Sequence, residues 1–223
     1  VPGAILFDLL TPEPRDWETP PWRELGQAAT AAAGRSFALG NAGAGLGATA
    51  GPIKGGLGTA SFAAEDMTVG ALAAVNCLGS TVMPGTRTFW TWWLEQSGEL
   101  GGQRPPETPP RGLCPDLSRV SARNTTLAVV ATDLALTRAQ LGRVAIMAQD
   151  GLARAIRPLH APLDGDVVFA LSTGARPAPE DPPTAITRLG ALAADALSRA
   201  VMRGVAEARG IGAIPGWRDL PAA

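Results

Sequence analysis

Hydrophobic and polar positions along the chain change period several times, and each change marks an element. Residues 1–10 (VPGAILFDLL) set Ile5-Leu6-Phe7 and Leu9-Leu10 between the turn formers Pro2-Gly3 and Pro12, which predicts a short buried strand. A proline-broken loop then leads to a helix over 22–33, stopped by Gly34. Residues 67–76 (MTVGALAAVN) alternate Val69, Ala71, Ala73 and Val75 on one face. That is strand periodicity in side chains small enough for another layer to pack close. The apolar run from Leu127 to Ala131 predicts a further strand. Thr137 with Gln140 is a capping-box pattern, and Leu141, Val144, Ala145, Ala148 and Leu152 then recur at helical spacing. Pro158 ends that helix, Asp164-Gly165-Asp166 makes a turn, and 167–171 return as a strand. Asp181 and Pro182 form an N-cap and first-turn pair. They open a long helix whose apolar stripe is Ile186, Leu189, Leu192, Ala193, Ala196, Leu197, Ala200 and Val201, ending near Gly210. The half after Asn124 thus reads strand, helix, strand, helix. The fold class is α/β or α+β, with sheets sandwiched between helices.

Two stretches break these periods. Residues 40–58 (GNAGAGLGATAGPIKGGLG) are too glycine-rich for a helix and too patterned for a linker, and predict a tight, immobile backbone run between strands. Residues 97–123, polar and rich in proline, predict a mobile segment that buries too little apolar surface to order itself. Between them, Phe89-Trp90 and Trp92-Trp93 form an aromatic cluster. Together with the long Ala-rich helix this cluster exceeds what a single exposed face tolerates, which predicts association.

Charge and composition narrow the function. Nineteen Lys+Arg against twenty Asp+Glu give a net charge of -1, so no electrostatic case exists for nucleic acid or an anionic membrane surface. No apolar run reaches the roughly 18 residues of a membrane span, and no signal-peptide pattern opens the chain. Cys77 and Cys114 with the single His160 supply too few ligands for a zinc or iron–sulfur cage. Neither a metal nor another cofactor is implied, and the cysteine usage fits a reducing, cytoplasmic setting. The chain opens Val1-Pro2-Gly3 without a methionine, which points to a processed or truncated product.

The glycine run invites a nucleotide reading, since Gly43-Ala-Gly45-Leu-Gly47-Ala48 approaches the dinucleotide fingerprint and Lys54 follows. A phosphate loop needs Gly-Lys-Ser/Thr where this chain has Ile53-Lys54-Gly55, and the continuation cannot be the required helix. Lys54 reads as a solvated charge, or as a lysine that flanking glycines let other backbone approach. His160 reads as structural and Cys77 as a small core residue.

Asn124-Thr125-Thr126 is more informative, because a proline-rich approach meets a buried strand at a hydroxyl-bearing residue. Such a junction suits self-cleavage, with the Thr125 hydroxyl attacking the Asn124 carbonyl and the freed chain starting at Thr125. An N-terminal threonine is chemically self-sufficient, since its α-amine, with a pKa of about 7.7–8.0, serves as base for its own hydroxyl. On spacing alone, a Thr-Thr pair opening a strand is the simpler reading.

NTTLAVVATD (124–133) and GLARAIRPLHAPLDGDVVFALSTG (151–174) resemble the second half of the DmpA-type aminopeptidases. That family includes L-aminopeptidase/D-esterases, β-aminopeptidases and the nylon-oligomer hydrolase. VPGAILFDLL, ALGNAGAGLGATAGPIKGGLGTAS (38–61) and VGALAAVN (69–76) resemble its first half, in the right order. The resemblance implies a four-layer α/β/β/α sandwich of the DmpA/ornithine acetyltransferase type, forming one peptidase-like domain over 1–223. It also implies autoproteolysis into an α portion (1–124) and a β portion (125–223), and amide hydrolysis by the new N-terminal residue. Many members use serine there, and this chain has Thr125. Relatives with a tyrosine near the first strand are matched here by Phe7, and members carry a further N-terminal segment ahead of the position of Val1.

In that reading Thr125 is nucleophile and base, and Asn76 gives an amide N–H to the oxyanion. Lys54 helps hold the Thr125 amine neutral, while Asp164 and Asp166 orient these groups or bind a substrate amine. The expected activity is that of a self-processing aminopeptidase on small peptides, β-peptides or amino-acid amides, and the expected assembly is a homo-oligomer, a tetramer. The alternatives are a nylon-oligomer-type amidase, an acyl transferase like ornithine acetyltransferase, and a non-catalytic, oligomer-forming member.

Overall fold

A computed structural model of the chain describes residues 3–9, 17–108 and 124–221. Its framework is a four-stranded mixed sheet of β3 (Gly56–Ala63), β4 (Thr68–Val75), β5 (Leu127–Leu134) and β6 (Val167–Arg176), in that spatial order. β3, β4 and β5 are antiparallel neighbours, whereas β5 and β6 run parallel, joined by the crossover helix α2 (Arg138–Ala155). A short hairpin of β1 (Thr49–Ala50) and β2 (Ile53–Lys54) precedes the sheet. The long helix α3 (Pro182–Glu207) returns across β3 and β4 and packs along α2, and α1 (Trp22–Ala31) buries none of its residues.

Strand alternation sets the two faces. Ala60, Ala71, Val130 and Ala170 share one row facing the helices, flanked by Val69 and Thr132 on one side and Ala73 and Ala128 on the other. The opposite face, with Leu72, Val129 and Phe169 in one row, is only half-buried. The architecture is therefore mixed α/β, and the described residues contribute one helical layer and one sheet layer of the expected sandwich.

The helices form where capping and periodicity place them. Thr137 caps α2: its Oγ1 accepts from the Gln140 N–H at 3.4 Å, while Gln140 Oε1 accepts from the Thr137 N–H at 2.8 Å. Asp181 Oδ1 accepts from the Thr184 N–H at the start of α3, with Pro182 in the first turn.

The glycine run is ordered because helix and strand backbones meet there. A Cβ on Gly56 would lie 2.0 Å from Gly204 O, and one on Gly58 would lie 2.0 Å from Ala200 O. Only bare backbone fits that approach.

Three expectations are corrected. Residues 3–9 form no strand, since an apolar run becomes one only beside a free strand edge; Ile5 is 85% exposed. The first part of the expected mobile segment is folded: the Glu95 carboxylate accepts from the N–H groups of Leu100, Gly102 and Gln103, each at 2.8 Å, and Leu100 is buried. The remainder of that segment beyond Glu107 and Thr108, and with it Cys114, lies outside the described residues. Finally, Phe89 and Trp90 are buried within this chain, Phe89 stacking on Trp217 at 5.2 Å, and so is most of α3, which leaves Trp93, 53% exposed, as the open member of the cluster. Neither feature by itself demands a second copy.

Candidate active site

β4 and β5 end side by side, and their continuations, Asn76 and Thr125, carry the site. The Thr125 N–H donates to Asn76 O at 2.7 Å, so the antiparallel pairing runs on past the named strands. On the other side, Asn124 bridges Asp164 in parallel fashion, and the Val167 N–H donates to Thr126 O at 3.0 Å. The Asn124–Thr125 bond is thus clamped between two strand ends, which fixes its orientation.

Thr125 Oγ1 donates to the carbonyl oxygen of Asn124 at 2.6 Å. The Gly165 N–H donates to that same carbonyl oxygen at 3.1 Å. A Cβ on Gly165 would lie 2.8 Å from Thr125 Oγ1, so glycine here leaves room for the hydroxyl. Thr125 opens onto a cleft of about 460 Å³ whose other lining residues are Phe7, Asn124, Pro162, Leu163, Asp164 and Gly165.

The two aspartates flanking Gly165 face different partners. Asp164 Oδ2 accepts from the Leu78 N–H at 3.1 Å and Oδ1 from the Gly165 N–H at 3.0 Å. Burial, and next the neighbouring Asp166 carboxylate, push the Asp164 carboxyl up to about 6. Asp166, its side chain fully buried, accepts from the Thr126 N–H at 2.9 Å and the His160 N–H at 3.2 Å. The His160 ring nitrogen Nδ1 stands 3.4 Å from the same carboxylate, an ion pair when His160 is protonated. Asp164 therefore lines the cleft, whereas Asp166 anchors the backbone that follows Thr125.

Lys54 is fully buried, and its Nζ donates to the carbonyls of Gly45 (3.2 Å), Leu46 (2.8 Å) and Ala48 (2.6 Å). Burial lowers its pKa to about 8, against the opposing pull of Asp8. It is not the solvated charge that a lysine in a glycine-rich loop suggests. Its link to Thr125 runs in series: the Thr49 N–H, one residue past Ala48, donates to Asn76 Oδ1 at 3.0 Å, and Asn76 O accepts from Thr125. The Asn76 amide nitrogen donates to Phe7 O at 2.8 Å. Asn76 thereby ties together residue 7, the glycine run and Thr125.

The structure thus joins Thr125, Asn76, Asp164 and Asp166 around one peptide bond, with Lys54 connected through the 45–49 backbone. Phe7, Thr49, Leu163 and Gly165 went unassigned at the sequence level. The Asp-Gly-Asp turn signals Gly165, for the turn rather than for its N–H, and the family resemblance marks Phe7 only as standing where relatives carry a tyrosine.

Residues 4–217 match Peptidase family S58. An uncharacterised aminopeptidase of Mycobacterium tuberculosis is 44% identical over 234 residues, covering 99% of this chain and 67% of that protein. A 6-aminohexanoate-oligomer endohydrolase of Paenarthrobacter ureafaciens is 26% identical over 227 residues, covering 91% of this chain and 60% of that protein. Two solved structures are similar. The L-aminopeptidase D-Ala-esterase/amidase of Ochrobactrum anthropi, described as a variant of the Ntn hydrolase fold, gives a TM-score of 0.54 at 28% identity, covering 80% of this chain and 47% of that one. A β-aminopeptidase of Burkholderia sp. gives 0.57 at 27% identity, covering 85% and 54%. The chain spans about half the length of the solved structures it matches. On a family match that runs almost from end to end, together with the mycobacterial relative's identity, this chain belongs to peptidase family S58.

Proposed function

We propose that this chain is the catalytic portion of a self-processing amide hydrolase of aminopeptidase type, with Thr125 as its nucleophile. The observation that carries the reading is the contact of Thr125 Oγ1 with the Asn124 carbonyl, 2.6 Å, at the mouth of the cleft. Attack by Oγ1 on the Asn124 carbonyl carbon forms an ester, the C–N bond breaks, and the Thr125 nitrogen leaves as an amine. Water then hydrolyses the ester, giving a carboxylate on Asn124 and a free N-terminal Thr125. Asp164, the ionisable residue among the described lining residues, takes the Oγ1 proton and returns it to the leaving nitrogen. A carboxyl raised to about 6 exchanges a proton near neutrality more readily than an ordinary aspartate.

In the mature enzyme the freed α-amine of Thr125 takes the base role. Substrate is a small peptide, β-peptide or amino-acid amide, whose amine faces Asp164 and whose side chain meets Phe7, Pro162 and Leu163. Asn76 supplies the second hydrogen of its amide to the substrate oxyanion, one being given to Phe7 O. Lys54 is a positioning residue that holds the 45–48 carbonyls, and through them Thr49 and Asn76. The relative that acts on 6-aminohexanoate oligomers supports linear amides as a substrate class.

Hydrolysis of a β-amino-acid anilide by the full-length protein tests the reading. Thr125→Ala is expected to abolish turnover with unchanged circular dichroism, and turnover at the parent rate would overturn the assignment. The family resemblance also supports a homo-oligomer, a tetramer, and the cysteine usage a cytoplasmic setting; a monomer mass by light scattering at micromolar concentration would contradict the assembly.

A further inference from the structure

We infer that the backbone N–H of Gly165 is the oxyanion donor for the self-cleavage step, a role that rests on the Thr125 reading above. The Asn124 carbonyl oxygen accepts two hydrogen bonds in the uncleaved chain, from Thr125 Oγ1 at 2.6 Å and from the Gly165 N–H at 3.1 Å. The first is lost when Oγ1 attacks, because that proton departs. The second remains, aimed at the atom on which negative charge develops, as catalysis by a preorganised donor requires.

Two features fix the Gly165 donor. The parallel bridge between Asn124 and Asp164, continued by the Val167 N–H to Thr126 O bond, sets the register of the two strand ends. The absence of a Cβ lets the same residue stand against the nucleophile, where a methyl would lie 2.8 Å from Thr125 Oγ1 and 3.7 Å from Asn124 O.

The donor is also shared. Asp164 Oδ1 accepts from the same N–H at 3.0 Å, making a three-centre bond. When Asp164 takes the Oγ1 proton its oxygen becomes a weaker acceptor just as Asn124 O becomes a stronger one, so the N–H transfers wholly to the oxyanion. The proton then passes from Asp164 to the Thr125 nitrogen as the C–N bond breaks, which restores the carboxylate and balances the step. Asn76 gives one amide hydrogen to Phe7 O and accepts the Thr49 N–H, and no bond joins it to Asn124 O. It is left to serve the later, intermolecular reaction.

An amide-to-ester replacement at residue 165 removes the N–H and leaves the side-chain composition unchanged. Self-cleavage of the full-length protein bearing it should slow by about 10²–10³-fold. The same replacement at Val167 deletes a structural hydrogen bond to Thr126 O and should change the rate only a few-fold. Equal slowing by both, or parental cleavage by the residue 165 ester, overturns the Gly165 assignment. A parent protein that never cleaves at Asn124–Thr125 instead overturns the underlying reading. A second measurement needs no backbone change. In the uncleavable Thr125→Ala precursor the Gly165 amide should exchange more slowly than in cleaved protein, where Asp164 Oδ1 is its remaining acceptor; equal exchange in the two would contradict the inference.

Discussion

Gly58 and Gly204 bring β3 and α3 into backbone contact: a Cβ on Gly204 would lie 2.8 Å from the Gly58 nitrogen, and one on Gly58 2.6 Å from the Gly204 Cα. Because backbone rather than a flexible side chain blocks the space, Gly58→Ala has to part strand from helix. Overpacking of this kind costs about 1–3 kcal/mol, and the upper end is expected. Gly142→Ala is the control: Gly142 lies within α2 with nothing within 4 Å of its would-be Cβ, and alanine there should gain about 0.5–1 kcal/mol. Urea unfolding midpoints of the two variants check both signs.

Much of the second half was legible because its signals are local. Thr137 with Gln140, Asp181 with Pro182, and the apolar stripes between them fix α2 and α3 within a few residues of where the helices lie. The parts that were not legible depend on distant partners. Order in the loop after Trp93 comes from a carboxylate at Glu95 collecting three N–H groups, which proline and glycine content do not reveal. The apolar residues at 5–7 look like a strand, but a strand needs a pairing edge, and no sequence period encodes one. At the site, Asn124-Thr125 and the Asp-Gly-Asp turn could be singled out from the chain. The tie from Lys54 through Thr49 to Asn76 could not, because no local spacing relates Thr49 to Asn76.

Lys54→Met should be costly despite the gain in apolar volume. The carbonyls of Gly45, Leu46 and Ala48 lose their common donor, and the two buried ones, of Gly45 and Ala48, each cost about 1–3 kcal/mol when left bare. Relief of the buried ammonium offsets part of this. A lowered unfolding midpoint together with slower self-cleavage is expected. An unchanged cleavage rate would remove Lys54 from the positioning chain.

Thr126→Val tests the residue next to the proposed nucleophile. Thr126 Oγ1 is buried and has no partner among the described residues, while the Thr126 N–H keeps its bond to Asp166 whatever the side chain. Replacing a bare hydroxyl by a methyl should leave stability unchanged or raise it by about 1 kcal/mol, with self-cleavage intact. Mass spectrometry over time and thermal unfolding read the two effects.

The proposed self-cleavage should show two limbs with pH. Asp164 must be ionised to accept a proton, so the rate should rise as pH passes about 6. The Lys54 ammonium is lost as pH passes about 8, so the rate should fall there. Stability moves differently. The Asp164 value is raised from 3.8, so the folded state holds a proton the unfolded chain has released, and that contribution, full below about 4, is lost as pH rises through about 6. Lys54 is lowered from 10.5, so stability increases as pH rises from about 8 toward 10.5. Cleavage of freshly refolded precursor across this range should trace a bell, and a flat profile would contradict the Asp164 and Lys54 roles.

The central claim is that Thr125 cuts the chain in front of itself. N-terminal sequencing of the fragments from purified full-length protein, beside the Thr125→Ala variant, tests it most directly. The account predicts a fragment beginning Thr125-Thr126-Leu127 from the parent and an intact chain from the variant. A parent that stays whole after prolonged incubation, a fragment starting at any other residue, or cleavage that persists in Thr125→Ala would contradict it.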